Sequence, residues 1–450
     1  MLFSVSLRST FSPAQGLLTM YERVMIYLKT HRRPLLILLV INSIYFFSYF
    51  QRIGIPGTIF NELQSSFLLS ATAVAGLATL FLYLYGGMQI FAGLLADRVG
   101  PSRTILLGGL LLSIGSLLFP SADSVEMLYT ARTITAIGAS LIYISVVKTV
   151  DTLFEASLFP VFLSISLAIG YSGGLFATLP FERMVHAMGW RHALILIAIA
   201  SLTVTLLSLR LLLGKTFSRS VPASPFSRES LLSVLNNKKT VPLITAGSIT
   251  FAIYYLFQAT LGKKFLEDFA GLPPFIASAF PFAMMLFVIP LMIIAGLFSR
   301  SLGKRRPLLL FSTITTLAGT LLILITLIFH LYNWFFLIAY ILLAISSACS
   351  PIFSTAMKEL NHPDTTATAI GLLNGASYLS VALLTTIAGA ILDMFSRSAL
   401  KTPTAIIYPG KAYATLFIVC LLLAIVAFLF SLRISEPIPR KPTKNNIIPG

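Results

Sequence analysis

The chain has 450 residues, of which 57% are hydrophobic and only 10% are charged, and it carries a formal net charge of +17. A soluble domain carries about 25% charged residues, so this composition excludes an ordinary soluble protein and predicts an integral membrane protein. The positive charge is therefore interpreted first as a matter of membrane topology, and we find no nucleic-acid-binding module behind it.

Twelve apolar stretches are each long enough to cross a bilayer as a helix, which takes about 20 residues. In chain order they are residues 34–54, 67–91, 104–121, 127–149, 160–180, 191–213, 241–262, 273–297, 307–330, 335–357, 367–391 and 412–433. These runs are continuous, whereas the strands of a membrane barrel alternate over about 10 residues. The predicted fold class is an all-α membrane protein with twelve transmembrane helices.

One long polar stretch divides the twelve spans into two sets of six. The predicted segments are an N-terminal extension (1–33), a six-helix bundle (34–213), a central loop (214–240), a second six-helix bundle (241–433) and a basic tail (434–450). Placing the N-terminus in the cytoplasm puts 23 of the 32 lysines and arginines on that side. The positive-inside rule therefore predicts that both termini are cytoplasmic. In a prokaryotic cell the protein would lie in the inner membrane.

The sequence GLLADRVGPSR, at residues 93–103, places three charges between spans 2 and 3. Its Gly100 and Pro101 predict a tight turn. A similar stretch, GLFSRSLGKRR at residues 296–306, lies between spans 8 and 9 and aligns without gaps, so that Gly303 matches Gly100. Because the two copies occupy the same place in two sets of six spans, the halves are predicted to be structural repeats, an arrangement typical of transporters.

The first copy resembles the loop signature of the major facilitator superfamily, with Ser102 where a basic residue is usual. The stretch ARTITAIGAS (131–140) is similar to the span-4 motif of that family, and GWRHALILIA (189–198) is similar to the start of its span 6. The resemblance covers about residues 34–433. It implies two pseudo-symmetric six-helix bundles that move a solute by alternating access.

The resemblance also implies roles for the charged residues of these motifs. Asp97 would act as a gating latch that engages a facing helix N-terminus, where an acid gains about 0.3–1 kcal/mol. Arg98, Gly100 and Arg103 complete this gating motif, and the alternative for the two arginines is a purely topogenic role. Arg132, early in span 4, would serve gating or proton coupling, and its alternative role is a structural ion pair or a side chain that snorkels to the membrane interface.

Arg52 lies near the end of span 1 and has two interpretations. It either snorkels to the membrane interface or faces the central cavity and binds an anion, for which its planar fork of donors is suited. Organic-anion and organic-phosphate members of the family resemble the chain at this position. Span 7, however, lacks the partner arginine of phosphate-ester carriers.

Uncharged polar residues complete the predicted substrate site. They are Tyr45 on span 1, Tyr143 on span 4, Tyr254 and Gln258 on span 7, and Asn374 on span 11. Helix–helix hydrogen bonds are the alternative role for buried amides, and packing is the alternative for the aromatic rings. No aspartate or glutamate lies deep within a predicted span, so proton coupling would need another carrier group.

The sequence thus predicts a secondary transporter of a small organic solute, with an organic anion preferred. A multidrug or metabolite exporter is one alternative, and a non-transporting membrane sensor on the same scaffold is another. We expect a monomer in the lipid bilayer, acting on a small molecule with or without a coupled proton or other ion. The sequence contains no phosphate-binding loop and no cysteine–histidine cluster, so no enzyme activity, cofactor or metal is predicted.

Overall fold

The computed structural model describes residues 32–154, 159–212, 228–362 and 365–436. Within these residues, twelve helices are long and apolar enough to cross a membrane, as predicted. Spans 1 to 12 are formed by Arg32–Gly54, Ala71–Val99, Pro101–Leu118, Val125–Leu153, Phe159–Phe176 with Leu179–Met188, Trp190–Leu212, Thr240–Ala259, Pro274–Leu302, Arg306–Ile328, Trp334–Ala348 with Ser350–Leu360, Thr366–Met394 and Gly410–Leu432. Spans 1–6 form the N half, and spans 7–12 form the C half.

Shorter elements connect these spans. They are the helices Phe60–Phe67, Arg228–Asn236 and Gly262–Asp268, the 3-10 turn Ser396–Ser398, and the strands Leu400–Lys401 and Ile406–Ile407, which pair antiparallel. Because the number of spans is even, Arg32 and Leu432 lie on the same face, which we call the terminal face. The opposite face, where span 1 ends, is called the far face.

The predicted central loop contains one of these short helices. Residues 214–227 of the loop lie outside the described part of the chain, and residues 228–236 are helical. Val234 of this helix is fully buried and belongs to an apolar cluster with Leu243 and Phe353. Its burial against the C half explains why a stretch that is polar on average forms a helix here.

The two halves meet along three pairs of spans. Span 2 packs along span 11, span 5 packs against span 8, and span 1 contacts span 7. Within the N half, span 5 packs along span 1, where a Cβ built on Gly173 would overlap the carbonyl of Phe46. Only glycine permits so close an approach of these two helices.

The repeated loop motifs form matching turns at the terminal face. Gly100, between spans 2 and 3, has φ +90°, and Gly303, between spans 8 and 9, has φ +62°. Both values lie in the region that favours glycine over other residues. The structure thus confirms the predicted turn and gives the two halves the same connection at equivalent positions.

Candidate functional site

Arg52 is buried near the end of span 1, with 7% of its surface exposed. Its Nη1 donates a hydrogen bond of 3.0 Å to the hydroxyl of Tyr378 on span 11, and its buried Nε–H has no hydrogen-bond partner among the described residues. Within that part of the chain, Arg52 forms no ion pair with a carboxylate. Tyr378 lies near the middle of its helix, so the guanidinium points into the molecule rather than toward the membrane interface.

Aromatic rings surround this guanidinium. Its Cζ lies 3.9 Å from the ring centroid of Tyr49 and 5.1 Å from that of Tyr85. Tyr85 in turn packs edge-on against Tyr378, with centroids 5.4 Å apart. Cation–π contacts attract a cation without neutralising it. The positive charge of Arg52 is therefore positioned in an aromatic environment that leaves it uncompensated.

Span 1 ends where Pro56 removes a backbone donor. A helical carbonyl accepts from the N–H four residues later, and proline has no N–H, so the carbonyl of Arg52 lacks its helical partner. The hydroxyl of Tyr255 on span 7 donates to this carbonyl instead, at 3.3 Å. Arg52 thus contacts the C half through both its side chain and its main chain. We call Arg52, Tyr49, Tyr85, Tyr255 and Tyr378 the arginine cage.

All three predicted tyrosine ligands lie outside the cage. The ring centroids of Tyr45 and Tyr143 are 5.7 Å apart, and Tyr45 lies 6.0 Å from Tyr49 of the cage. These two rings form a layer behind the cage in the N half. The hydroxyl of Tyr254 lies 3.5 Å from the sulfur of Met285 on span 8, so it contributes to packing between spans 7 and 8.

The predicted amide ligands lie in two separate cavities. Gln258 is 4% exposed, its Nε2 has no partner among the described residues, and it lines a small cavity near the far face with Lys263. Asn374 lines a cavity between spans 7, 10 and 11, which we call the C-half cavity. Neither amide forms a hydrogen bond with Arg52 in the described structure. The structure therefore does not assemble all predicted ligands at one point.

Buried charged side chains join the two halves at the far face. Lys263 of the C half forms an ion pair with Glu182 of the N half and donates a 2.5 Å hydrogen bond to the carbonyl of Thr58. Glu267 lies 3.4 Å from the same ammonium group and accepts a 2.7 Å hydrogen bond from Asn61. We call these residues, together with Glu62, the far-face cluster. Its carboxylates outnumber the lysine at its centre.

This charge imbalance changes the titration of Glu267. Burial raises the pKa of its carboxyl from 4.5 to about 7, and the charges of Glu62 and Glu182 add to the rise. Lys263 acts in the opposite direction but is shared among the three carboxylates. The adjacent Lys264 is paired with its own acid in the C half, Asp268, at 2.6 Å. Glu267 is therefore held where it can take up a proton near neutral pH.

Asp393 makes a further contact between the halves at the far face. Its Oδ1 and Oδ2 each accept a hydrogen bond of 2.8 Å, from the N–H groups of Ala71 and Thr72. These residues begin span 2, where backbone N–H groups lack helical partners and the helix dipole favours an acid. The contact has the form expected for Asp97, but it lies on the opposite face of the molecule.

The predicted gating motif lies at the terminal face. Arg98 lies in the last turn of span 2, Gly100 forms the turn, and Arg103 lies in the first turn of span 3. The backbone of Asp97 belongs to span 2, but its side chain lies outside the described residues. The latch role of Asp97 thus stays a prediction, as do the roles of both arginines.

All three guanidinium nitrogens of Arg132 donate to backbone carbonyls. Its Nε donates to the carbonyl of Leu77 at 3.2 Å, Nη1 to that of Gln51 at 2.8 Å, and Nη2 to that of Ile55 at 2.6 Å. The side chain is 1% exposed and contacts the ring of Phe81. This geometry ties span 4 to spans 1 and 2, and the ion pair considered as its structural alternative is absent from the described residues.

The contacts between the halves are unevenly distributed across the molecule. Among the described residues, the hydrogen bonds that join the halves lie at the level of the arginine cage or nearer to the far face. Asn374, one helical turn from Tyr378 toward the terminal face, is exposed. The halves are thus closed against each other at the far face.

Sequence reasoning missed most of the cage and the far-face cluster. Tyr49 and Tyr85 look like ordinary apolar residues of spans, and nothing in the sequence pairs them with Tyr378. The cluster carries a usable signal, because Lys263 and Glu267 are four residues apart and face the same side of a helix. Their partner Glu182 follows a proline at the edge of a predicted span, which resembles a connecting loop.

These features agree with comparisons to known proteins. The chain belongs to the Major Facilitator Superfamily, whose family model matches residues 41–385 and 303–448. Its fold and family are those of an integral, multi-pass membrane transporter.

Curated relatives match parts of the chain. Monocarboxylate transporter 7 of Homo sapiens is 26% identical over 41% of this chain and 36% of its own length. The riboflavin transporter RibZ of Clostridioides difficile (strain 630) is 23% identical over 49% of this chain and 51% of its own length. The probable sulfoacetate transporter SauU of Cupriavidus necator is 27% identical over 38% of this chain and 40% of its own length. The alignments thus span about half of each relative or less.

Solved structures match nearly the whole chain. A bacterial homologue of the human lysosomal transporter Spinster, in an inward-facing and unoccupied conformation, aligns with a TM-score of 0.73 and 16% identity over 90% of this chain and 98% of that chain. The nucleoside transporter NupG aligns with a TM-score of 0.69 and 12% identity over 88% of this chain and 100% of that chain. At these identities the likeness shows the fold alone.

Proposed function

We propose that this protein is a secondary transporter that moves a small organic anion across the membrane by alternating access, with Arg52 as the anion-binding residue. The observation that carries the proposal is a buried arginine between the two halves that has no carboxylate partner in the described structure. A charged side chain within a membrane span is costly. An anionic ligand would supply the compensation that the protein itself does not.

The free donors of Arg52 suit a carboxylate. Nη1 is engaged by Tyr378, whereas Nε–H has no partner among the described residues. A guanidinium presents Nε and Nη2 side by side, and this edge binds a planar anion through two parallel hydrogen bonds. The names of two relatives, a monocarboxylate transporter and a probable sulfoacetate transporter, support an anion, whereas riboflavin transporter RibZ names a different solute.

The position of Arg52 also suits alternating access. Its contacts reach span 11 through Tyr378 and span 7 through Tyr255, so an anion bound there would touch both halves. With both termini in the cytoplasm, as the distribution of basic residues predicts, the far face is the outer face. The described conformation would then be closed to the outside, and the anion would be released toward the cytoplasm when transport is inward.

The test is substrate binding and flux in the purified protein. Carboxylates, sulfonates, nucleosides and cationic drugs are screened for thermal stabilisation, where a ligand at 100 times its Kd contributes about 2.7 kcal/mol. Uptake of the best ligands is then measured in sealed proteoliposomes. We expect Arg52→Ala to weaken anion binding by roughly tenfold or more, since a hydrogen bond to a charged group contributes about 1.5–3 kcal/mol.

Arg210→Ala is the control, because Arg210 is an exposed arginine in the last turn of span 6 and is not among the residues that join the halves. It should leave anion affinity unchanged. Stabilisation by cations alone, with equal responses of the wild type and Arg52→Ala, would favour an exporter and contradict the proposal. Binding without any substrate-dependent flux would favour a membrane sensor.

A further inference from the structure

The C-half cavity adjoins the arginine cage. Asn374, which lines it, and Tyr378, which binds Arg52, are four residues apart on the same face of span 11, about 6 Å along the helix axis. Phe251 also lines the cavity, and its ring centroid lies 5.9 Å from that of Tyr378. A ligand whose anionic group is bound at Arg52 can therefore extend into this cavity.

The cavity contains polar groups that the protein leaves unpaired. Thr250 is 3% exposed and its hydroxyl has no hydrogen-bond partner among the described residues. The side chains of Ser350, Ser354 and Asn374 also line the cavity and form no hydrogen bond with other described residues. A buried polar group without a partner is costly, which applies to Thr250, and the less buried side chains beside it offer further donors and acceptors. The cavity therefore fits a ligand that carries hydrogen-bonding atoms of its own.

The lining of the cavity is also uncharged. It consists of hydroxyl, amide, aromatic, aliphatic and glycine residues from spans 7, 10 and 11, without a lysine or arginine. A second anionic group placed there would be removed from water without a counter-ion, which is strongly unfavourable. A hydroxyl or amide would instead find both donors and acceptors, since Ser, Thr and Asn side chains provide both.

We propose that the transported solute is a monoanion with an uncharged tail that bears hydroxyl or amide groups, and that the C-half cavity binds this tail. The inference rests on the proposed anion site at Arg52 and adds the determinant of selectivity. Thr250 and Asn374 are its specificity-determining residues. They discriminate between anions that carry the same charged group.

The test compares acids that differ only in their tails. Binding and proteoliposome uptake are measured for gluconate against hexanoate and for threonate against butyrate, with glucarate as the hydroxylated acid that has a second carboxylate. We expect each hydroxylated monoanion to bind roughly tenfold tighter than its plain partner and glucarate to bind weakly. Thr250→Val and Asn374→Leu should each weaken the hydroxylated acids severalfold and leave hexanoate and butyrate unchanged.

Thr385→Val is the matched control. Thr385 lies on span 11, is fully buried and has an unpaired hydroxyl among the described residues, but it does not line this cavity. Equal affinity for both members of each pair, with binding still dependent on Arg52, would overturn this inference and leave the anion site standing. Equal losses for both members in Thr250→Val and Asn374→Leu would also overturn it. Binding of none of these acids would contradict the anion site and this inference together.

Discussion

Arg132 and Arg52 are both buried arginines of the N half, but their surroundings give them different expected roles. Arg132 donates to three backbone carbonyls, whereas Arg52 has an unpaired Nε–H and no carboxylate partner in the described structure. The first arrangement satisfies a guanidinium internally, and the second leaves it for a ligand. We therefore expect substitution of Arg132 to lower stability and substitution of Arg52 to weaken ligand binding.

Arg132→Lys should destabilise the protein without weakening substrate binding in the folded fraction. A lysine keeps the charge but cannot reach three carbonyls with one compact ammonium, and each buried group left unpaired costs about 1–3 kcal/mol. Thermal unfolding in detergent should show a Tm lowered by several degrees. Arg210→Lys, at an exposed arginine on the terminal side of span 6, provides the control. An unchanged Tm for Arg132→Lys, or a loss of anion affinity with the Tm unchanged, would contradict the structural role.

The sequence could place these arginines on their spans but could not distinguish them. Both stand among apolar residues, and the partners of Arg132 are main-chain atoms that no side-chain pattern reports. The cage around Arg52 depends on Tyr378, which is far from it in the chain and meets it only because span 11 packs along span 2 where the two halves meet. The charge of each arginine and its place on a span can be read from the local sequence, whereas the groups that contact the guanidinium are set by the tertiary structure.

At the scale of elements, the start of span 2 is capped twice, once from each half. Ser70 accepts from the N–H of Ala73 at 3.1 Å within the N half, while Asp393 accepts from Ala71 and Thr72 across the interface. The first cap stabilises the helix in any conformation. The second exists only while the far face is closed, so the two caps should respond differently to substitution.

Asp393→Asn should shift the protein toward a conformation open at the far face. The amide keeps the shape but loses the charge at the helix N-terminus and one of the two acceptors, together about 1–2 kcal/mol. Distances between spin labels at Leu68→Cys and Leu400→Cys, both exposed on the far face, should lengthen in a larger fraction of molecules. Ser70→Ala should lower the Tm without moving this distance. Identical distance distributions in the labelled protein with Asp393 and with Asp393→Asn would show that the contact of Asp393 with span 2 does not hold the far face closed.

The helices and turns were predictable from the sequence, but the face at which the two halves are closed was not. Spans required only apolar runs of sufficient length, and the glycines of the repeated motif identified two equivalent turns. The latch expected for Asp97 was assigned by resemblance to the terminal face, whereas the described conformation has a contact of that form at Asp393. A sequence has to be compatible with every conformation that the protein adopts, so it does not report at which face the halves are closed in any one of them.

At the scale of the whole molecule, closure of the far face buries the carboxylates of Glu62, Glu182 and Glu267 around Lys263. Opening would separate Glu182 and Asn61 of the N half from the C half and expose Glu267 to water. Its pKa would then return toward the ordinary value of 4.5 from about 7 in the closed state. The closed conformation therefore binds the proton more tightly, and protonation of Glu267 favours closure.

This linkage predicts that closure of the far face weakens as pH rises. Below pH 4.5 Glu267 is protonated in both conformations and the stabilisation is fully present. It is lost as the pH rises toward 7, by up to about 1.4 kcal/mol for each pH unit, and no further loss from this group follows above that range. Spin-label distances between Leu68→Cys and Leu400→Cys should therefore lengthen between these two pH values. Glu267→Gln, which mimics the protonated acid, should keep the far face closed throughout, and an equal pH response in this variant would assign the titration to another group.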